Sequence, residues 1–163
     1  MALAGIRVID LTDERGIYGT KLLADLGAQV IRPEGVEGDP LRKRGPFMQG
    51  DGGQISLWHS FFASNRPFVS VDQADVVATR ALQELTEAAD LVCVDGETDL
   101  VDLGSAKNAN PSLVVIELSS FGKQGPWADF LGPDLVAGAL GGAAATTGDA
   151  DTPPLKNFGD LNF

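Results

Sequence analysis

A chain of 163 residues, 44% apolar and 21% charged, has ordinary globular composition and enough length to bury a real core. Its 23 acidic residues outnumber 12 basic ones, a net charge of −11, so it lacks the basic footprint that displaces counterions, and neither nucleic acid nor an anionic membrane is expected as a partner. No apolar run approaches the roughly 18 residues of a membrane span, no secretory h-region opens the chain, and the one cysteine can form no internal disulfide, so a reducing, cytoplasmic setting is expected.

Taken in chain order, residues 6–11 alternate in polarity and predict a first strand that runs into Thr12 and Asp13. Leu22, Leu23 and Leu26 then recur at helical spacing, and Gly27 stands where a helix stops. Residues 28–31 form a short apolar run of strand length. A loop over residues 35–53 follows; its six glycines are more punctuation than a compact connection needs, and such loops often carry a site. Next come a helix over residues 55–63, a third strand over 68–72, and a helix over 75–89 with Val76, Val77, Leu82 and Leu85 on one side. Residues 91–94 read as a fourth strand, residues 99–103 as a short helix broken by Asn110 and Pro111, and residues 113–118 as a fifth, buried, β-branched strand. The small-residue run 138–148 suits a helix packed closely on another backbone.

Strands alternating with helices imply an α/β fold: a doubly wound, mainly parallel sheet with flanking helices, Rossmann-like in build. Ligands of such sheets sit beyond the carboxyl ends of the strands. Those ends lead into residues 12–16, 35–45, 95–96 and 119–125.

The chemistry-bearing residues are few. Arg42, Lys43 and Arg44 are consecutive, the strongest positive spot of an acidic chain, and read either as a phosphate contact or as a solvated loop. Cys93 lies in an apolar run and reads as core; His59, mid-helix, reads as a packed or surface residue. One histidine and one cysteine cannot assemble a zinc site, and no spaced carboxylate motif suggests another metal. A P-loop, a Gly-x-Gly-x-x-Gly after the first strand and a Gly-x-Ser-x-Gly elbow are all missing, which removes support for nucleotide hydrolysis, dinucleotide redox and serine-hydrolase chemistry.

The order of several segments carries a resemblance: residues 4–12, the block 22–34, Gly38-Asp39-Pro40-Leu41-Arg42, Asn65-Arg66, residues 89–92, Asn110-Pro111, residues 121–126 and Phe158-Gly159-Asp160. Together they resemble the class III coenzyme A transferases, the family of formyl-CoA and carnitine CoA-transferases, similar in fold to α-methylacyl-CoA racemases. The resemblance runs from about Leu3 to the last residue. It implies that residues 1–163 are the N-terminal α/β domain of a longer chain whose two subunits interlock, with a second domain and a glycine loop beyond. A homodimer, or pairing with a second transferase-like half, is implied, with the isolated fragment inactive. So are coenzyme A and acyl-CoA as substrates alongside a carboxylic acid, with no tightly bound cofactor.

By the same resemblance Asp160 is the catalytic aspartate, although its residues alone read as a Gly-Asp turn capping a helix. Arg42 matches an arginine that lies against the CoA adenine, Arg66 lies near the family's segment for CoA phosphates, Lys43 is implied to help hold CoA, and Arg15 and Gly16 occupy the first βα turn, where the family usually has an Ala-Gly-Pro-type turn. The chain also departs from the pattern. Asn65-Arg66-Pro67 keeps one of two expected cations, and Asp95, Glu97 and Asp99 put three carboxylates in a diphosphate-facing loop. Gly132-Pro133-Asp134 replaces the racemase Gly-His-Asp, and proline has no acid-base function, so racemisation by that route is not expected. Two readings follow: an acyl-CoA:carboxylate CoA-transferase, or a non-catalytic half of that fold with a degraded CoA site.

Overall fold

The structure, a computed structural model, describes residues 1–156; Asp160 lies outside the described residues. The chain divides into two compact units, Met1–Leu118 and Ser119–Phe163. The first is built on five strands: β1 (Arg7–Leu11), β2 (Gln29–Glu34), β5 (Phe68–Ser70), β6 (Leu91–Asp95) and β7 (Val114–Leu118). They lie in the order β5-β2-β1-β6-β7, every pair parallel. The strand order reverses between β1 and β6, the position at which a doubly wound sheet opens its ligand crevice.

Each face of this sheet buries its own cluster because successive side chains of a strand point to opposite faces. Val8 of β1 and Cys93 of β6 join Val30 under helix α1 (Ile17–Asp25), packed with Ala24 and Ala28. Ile9 and Val92 point the other way, onto Ala89, Leu113 and Ala106 of helix α4 (Leu103–Ala109); Leu82 of helix α3 (Val76–Glu87) packs beside them on Val71 and Val101. Helix α1 ends at Gly27, whose φ of +104° costs an L residue with a Cβ dearly. Asp75 accepts hydrogen bonds from the N–H groups of Val77 and Ala78 at the start of α3, and Asp102 does so from Ser105 at the start of α4.

Five sequence expectations need correction. The 35–53 loop is not all loop: it holds a 3₁₀ turn at Pro40–Lys43, strand β3 (Phe47–Gly50) and the start of strand β4 (Gly53–Ser56), the strands paired antiparallel. Helix α2 is therefore shorter than predicted, Leu57–Phe62, with Ser56 as its cap. Helix α4 starts at Leu103, where the 99–103 prediction ended, because Asp102 rather than Asp99 supplies the cap. Val76 and Val77, expected on an inner face, are exposed in the first turn of α3, and β7, expected buried, is an edge strand with Val114 and Ile116 largely exposed within this unit.

In the second unit, Phe121 meets Trp127 and Phe130 edge-on, with ring centroids 5.9 and 6.5 Å apart. Helix α5 (Asp134–Leu140) follows Pro133, which serves as its N-cap, and a 3₁₀ turn covers Ala144–Thr146. Among the described residues no helix is long and apolar enough to cross a membrane.

The deepest polar group of the first unit is Asp10, fully buried at the end of β1 among two buried arginines. Asp10→Asn leaves Arg66 without its buried counter-charge and Arg32 with Asp39 alone, and the expected loss is about 3–5 kcal/mol in a denaturant unfolding series at neutral pH. A loss below about 1 kcal/mol contradicts this account of the core.

Candidate functional site

The carboxyl ends of β1 and β2 are organised by charge inside the protein. Asp10 Oδ1 accepts from the Thr12 N–H at 3.1 Å and the Thr12 hydroxyl at 2.6 Å; Oδ2 accepts from the Thr20 hydroxyl of α1 at 2.9 Å and from Arg66 Nη1. Arg32 Nη1 stands 3.1 Å from the same Oδ2 as an ion pair outside hydrogen-bond geometry, while its Nε donates to Asp39 Oδ2 at 2.6 Å. Two buried arginines thus face two buried aspartates. Balance of this kind is what makes charge tolerable in a core.

Arg66 is drawn inward by the local backbone. Asn65, at φ +62°, is a residue type that tolerates the left-handed region, and it turns the chain between α2 and β5. Arg66 then donates to Asp10 and Thr20 through Nη1, to the carbonyls of Ile17 and Phe62 through Nη2, and to that of Ser64 through Nε. Its side chain has no exposure. Arg66, expected at a CoA phosphate, thus has its donors taken up within the core, on Asp10, Thr20 and three backbone carbonyls.

From this base the loop after β2 is built outward. Asp39 accepts from the Leu41 N–H at 2.9 Å, capping the 3₁₀ turn, and its own N–H donates to Glu34 Oε2 at 2.9 Å. Burial raises the Asp39 pKa, but Arg32 outweighs it and the carboxyl titrates below its usual range. The same Glu34 oxygen receives Arg42 Nε and Nη2 at 3.1 and 3.0 Å, which holds the Arg42 guanidinium 4.6 Å over the Phe68 ring. Arg42 remains 45% exposed there, so one face of a fixed, planar cation is open to a ligand.

The neighbours of Arg42 differ in their availability. Lys43 is exposed. Arg44 lies over Trp58 at 4.8 Å and pairs with Glu14, tying the basic loop to the turn after β1. His59 packs on Phe68 with its Nε2 3.5 Å from Asp39 Oδ2. Burial first, and the charge of Arg42 next, hold its pKa below the usual histidine value, so it is a neutral core group at pH 7.

Gly16 caps α1 at the end of the turn that follows β1. A Cβ there would stand 2.4 Å from Leu118 Cδ1 and 2.5 Å from Thr12 Cγ2, so only glycine lets β7 close on the turn. Arg15 beside it donates to Asp13 and, through Nε at 2.9 Å, to Asp95 at the end of β6. Two carboxylates share this one guanidinium. Burial, then the neighbouring Asp13, raises Asp95 to about 7; burial also opposes ionisation of Asp13, but its bonds to Asp95 and Arg15 outweigh that and lower it. Of the three carboxylates expected in the loop after β6, Asp95 thus turns to Arg15, whereas Glu97 and Asp99 are exposed.

Between α1 and β7, over the β1-β6 switch point, lies an open pocket of about 290 Å³. Thr12, Arg15, Thr20, Leu23, Ile116 and Leu118 contribute to its wall, and Cys93 to its floor. Burial, reinforced by the Asp10 charge, raises the Cys93 thiol to about 11, so it stays protonated and acts as filler rather than nucleophile, as the sequence predicts. The apolar body of this pocket was not foreseen, although residues 12–16 were expected at the ligand end and Thr12, Arg15 and Gly16 line it. Among the described residues no cluster of three or more histidine, cysteine or acidic side chains could hold a metal.

Arg42, Lys43, Arg15 and Gly16 therefore all lie at the carboxyl end of one sheet, and Asp160 lies outside the described residues. A family model described as CoA-transferase family III matches residues 3–161. The chain is 35% identical to succinyl-CoA:(R)-benzylsuccinate CoA-transferase subunit BbsE of Thauera aromatica, over 90% of this chain and 38% of that protein. It is 33% identical to a succinate–glutarate CoA-transferase of Agrobacterium fabrum, over 94% of this chain and 41% of that protein. A crystal structure of a CAIB/BAIF family protein from Brucella suis superposes with a TM-score of 0.85 at 28% identity, covering 98% of this chain and 45% of the other. The chain thus spans about two fifths of the length of the curated relatives it matches.

The Asp13-Arg15-Asp95 cluster gives a pH signature. A carboxyl raised in the folded state adds stability that is complete below its ordinary value of 3.8 and is lost as pH rises through about 7. The melting temperature is expected to fall across that window, and Asp95→Asn is expected to flatten the fall, in thermal unfolding followed by circular dichroism; an unchanged profile in the variant contradicts the assignment.

Proposed function

The chain belongs to CoA-transferase family III, and on that premise we propose that it is the N-terminal, CoA-holding half of a cytoplasmic acyl-CoA:carboxylate CoA-transferase that works as a dimer or with a second half of the same kind. The observation that carries this reading is the extent of the family match, from residue 3 through residue 161, which takes in both the Arg42 loop and Asp160.

In the proposed reaction the Asp160 carboxylate attacks the thioester carbonyl of acyl-CoA, and the CoA thiolate leaves to give a mixed anhydride. The thiolate then attacks the aspartyl carbonyl, releasing the donor acid and leaving an aspartyl-CoA thioester. An incoming carboxylate attacks that thioester to form a second anhydride and free the thiolate once more; the thiolate takes the new acyl group and Asp160 is regenerated. Every intermediate is hydrolysable, so the site must exclude water. The net exchange replaces one thioester and one carboxylate by another thioester and carboxylate of similar energy, so the reaction needs no external energy source.

Arg42 supports the CoA end of this scheme. Its guanidinium is held by Glu34 and stacked on Phe68 with one face open, a geometry suited to an adenine ring or a phosphate. Lys43 adds a second exposed cation for the phosphates, and the Arg15-Gly16 turn forms the wall along which the thioester would lie. Against catalysis stands one specific feature, the four carboxylates Asp13, Asp95, Glu97 and Asp99 at the same end of the sheet, which favours the second reading of a non-catalytic half.

The two readings separate experimentally. In the full-length protein, acyl-CoA is expected to give a hydroxylamine-sensitive CoA adduct on Asp160, seen by peptide mass spectrometry and lost in Asp160→Ala. Arg42→Ala is expected to weaken CoA binding about tenfold, or ~1.4 kcal/mol, by calorimetry. No adduct and no CoA-dependent thermal shift would leave the non-catalytic half as the function.

A further inference from the structure

The pocket between α1 and β7 has a composition that limits what can enter it. Three of its wall residues have polar side chains, and each is already engaged. The Thr12 hydroxyl donates to Asp10 at 2.6 Å, the Thr20 hydroxyl donates to Asp10 and accepts from Arg66, and Arg15 is shared between Asp13 and Asp95. The remaining wall is Leu23, Ile116, Leu118 and glycine backbone, over the protonated thiol of Cys93. The volume of about 290 Å³ compares with the ~150 Å³ of an apolar protein cavity that holds benzene. A phenyl ring with a short linker, or an aliphatic chain of similar bulk, fits.

We propose that this pocket receives the apolar body of the substrate acid, so that the enzyme transfers CoA to and from monocarboxylates with an aliphatic or aryl body and rejects dicarboxylates; the proposal rests on the transferase reading above. The location agrees with this use. The pocket opens at the β1-β6 switch point, where a doubly wound sheet takes its ligands, and beside the turn proposed to flank the thioester. A body inserted here leaves the reacting carboxyl outside, at the ligand end.

Charge supplies the selectivity. A second carboxylate at the far end of the substrate would be pushed against Leu23, Ile116 and Leu118, with no donor among the described lining residues to receive it, and burying an uncompensated charge is costly. At the Arg15 side it would face two carboxylates sharing one guanidinium, a net negative cluster when both are ionised. The two dicarboxylates in the name of one relative, succinate and glutarate, are thus the class this pocket excludes.

Gly19 provides the blocking variant. It lines the pocket from the first turn of α1, and a Cβ built on it meets nothing within 4 Å, so a larger side chain there enters the pocket without displacing the fold. Replacing a helical glycine also favours the helix.

The test is a nuclear magnetic resonance titration of the full-length protein with hexanoate, 4-phenylbutanoate, succinate and glutarate, with CoA titrated separately. The two monocarboxylates are expected to shift the Gly19 amide and the Ile116 and Leu118 methyl groups with dissociation constants at least about tenfold lower than either dicarboxylate. Gly19→Leu, and independently Ile116→Trp, are expected to raise those constants about tenfold while the spectra stay those of a folded protein. Equal binding of succinate, no binding of the monocarboxylates, or binding untouched by both variants overturns the proposal. Because CoA is read separately, failure of the monocarboxylates while CoA binds counts against the pocket alone, whereas failure of CoA counts against the transferase reading.

Discussion

Asp10 is the point on which the ligand end of this sheet depends. Its carboxylate is fully buried, and it gathers β1, the turn after it, helix α1, strand β2 and the segment after α2 through Thr12, Thr20, Arg32 and Arg66. A charge in that position is tolerable only if its partners arrive together, since each missing counter-charge leaves the others stranded in a low-dielectric interior. The network therefore behaves as a cooperative unit, and the loops that spring from it inherit its rigidity.

The inheritance can be followed along the chain. Arg32 answers Asp10 with one nitrogen and Asp39 with another, so the same guanidinium that neutralises the core also sets the start of the 3₁₀ turn. Asp39 then fixes its N–H on Glu34, and Glu34 fixes Arg42 against Phe68. The two carboxylates in the middle of this line, Asp39 and Glu34, are joined through the Asp39 N–H, and the line ends in a cation with one open face. On the other side of the switch point the pattern inverts, because Arg15 is outnumbered by Asp13 and Asp95 and an apolar pocket lies next to them. The ligand end thus has a cationic side suited to phosphates or an adenine, and an apolar, acid-rimmed side suited to an uncharged body.

How much of this was legible depended on the kind of signal. The order of strands and helices could be read because apolar runs were separated by Gly27, Asn110 and Pro111, and the doubly wound class followed from the alternation. The β3-β4 hairpin was missed because Phe47–Gly50 and Gly53–Ser56 are four-residue strands rich in glycine and polar residues, with little alternation to detect. The inner face of α3 was misread because Val76 and Val77 follow the Asp75 cap and lie in an exposed first turn. Arg66 shows a different limit. Composition cannot tell a cation aimed at a ligand from one aimed at a buried carboxylate, yet a sign was present: Asp10 and Arg32 both interrupt apolar strands, and charges inside such strands require partners.

The central claim is that Arg66 serves Asp10 and reaches the ligand end only through it. A double-mutant cycle with Asp10→Ala and Arg66→Met, read by denaturant unfolding, tests it most directly because it isolates the pairwise term from the cost of each substitution. The account predicts a coupling of about 2–3 kcal/mol; effects that add to within about 0.5 kcal/mol would contradict it and release Arg66 for a direct part in binding.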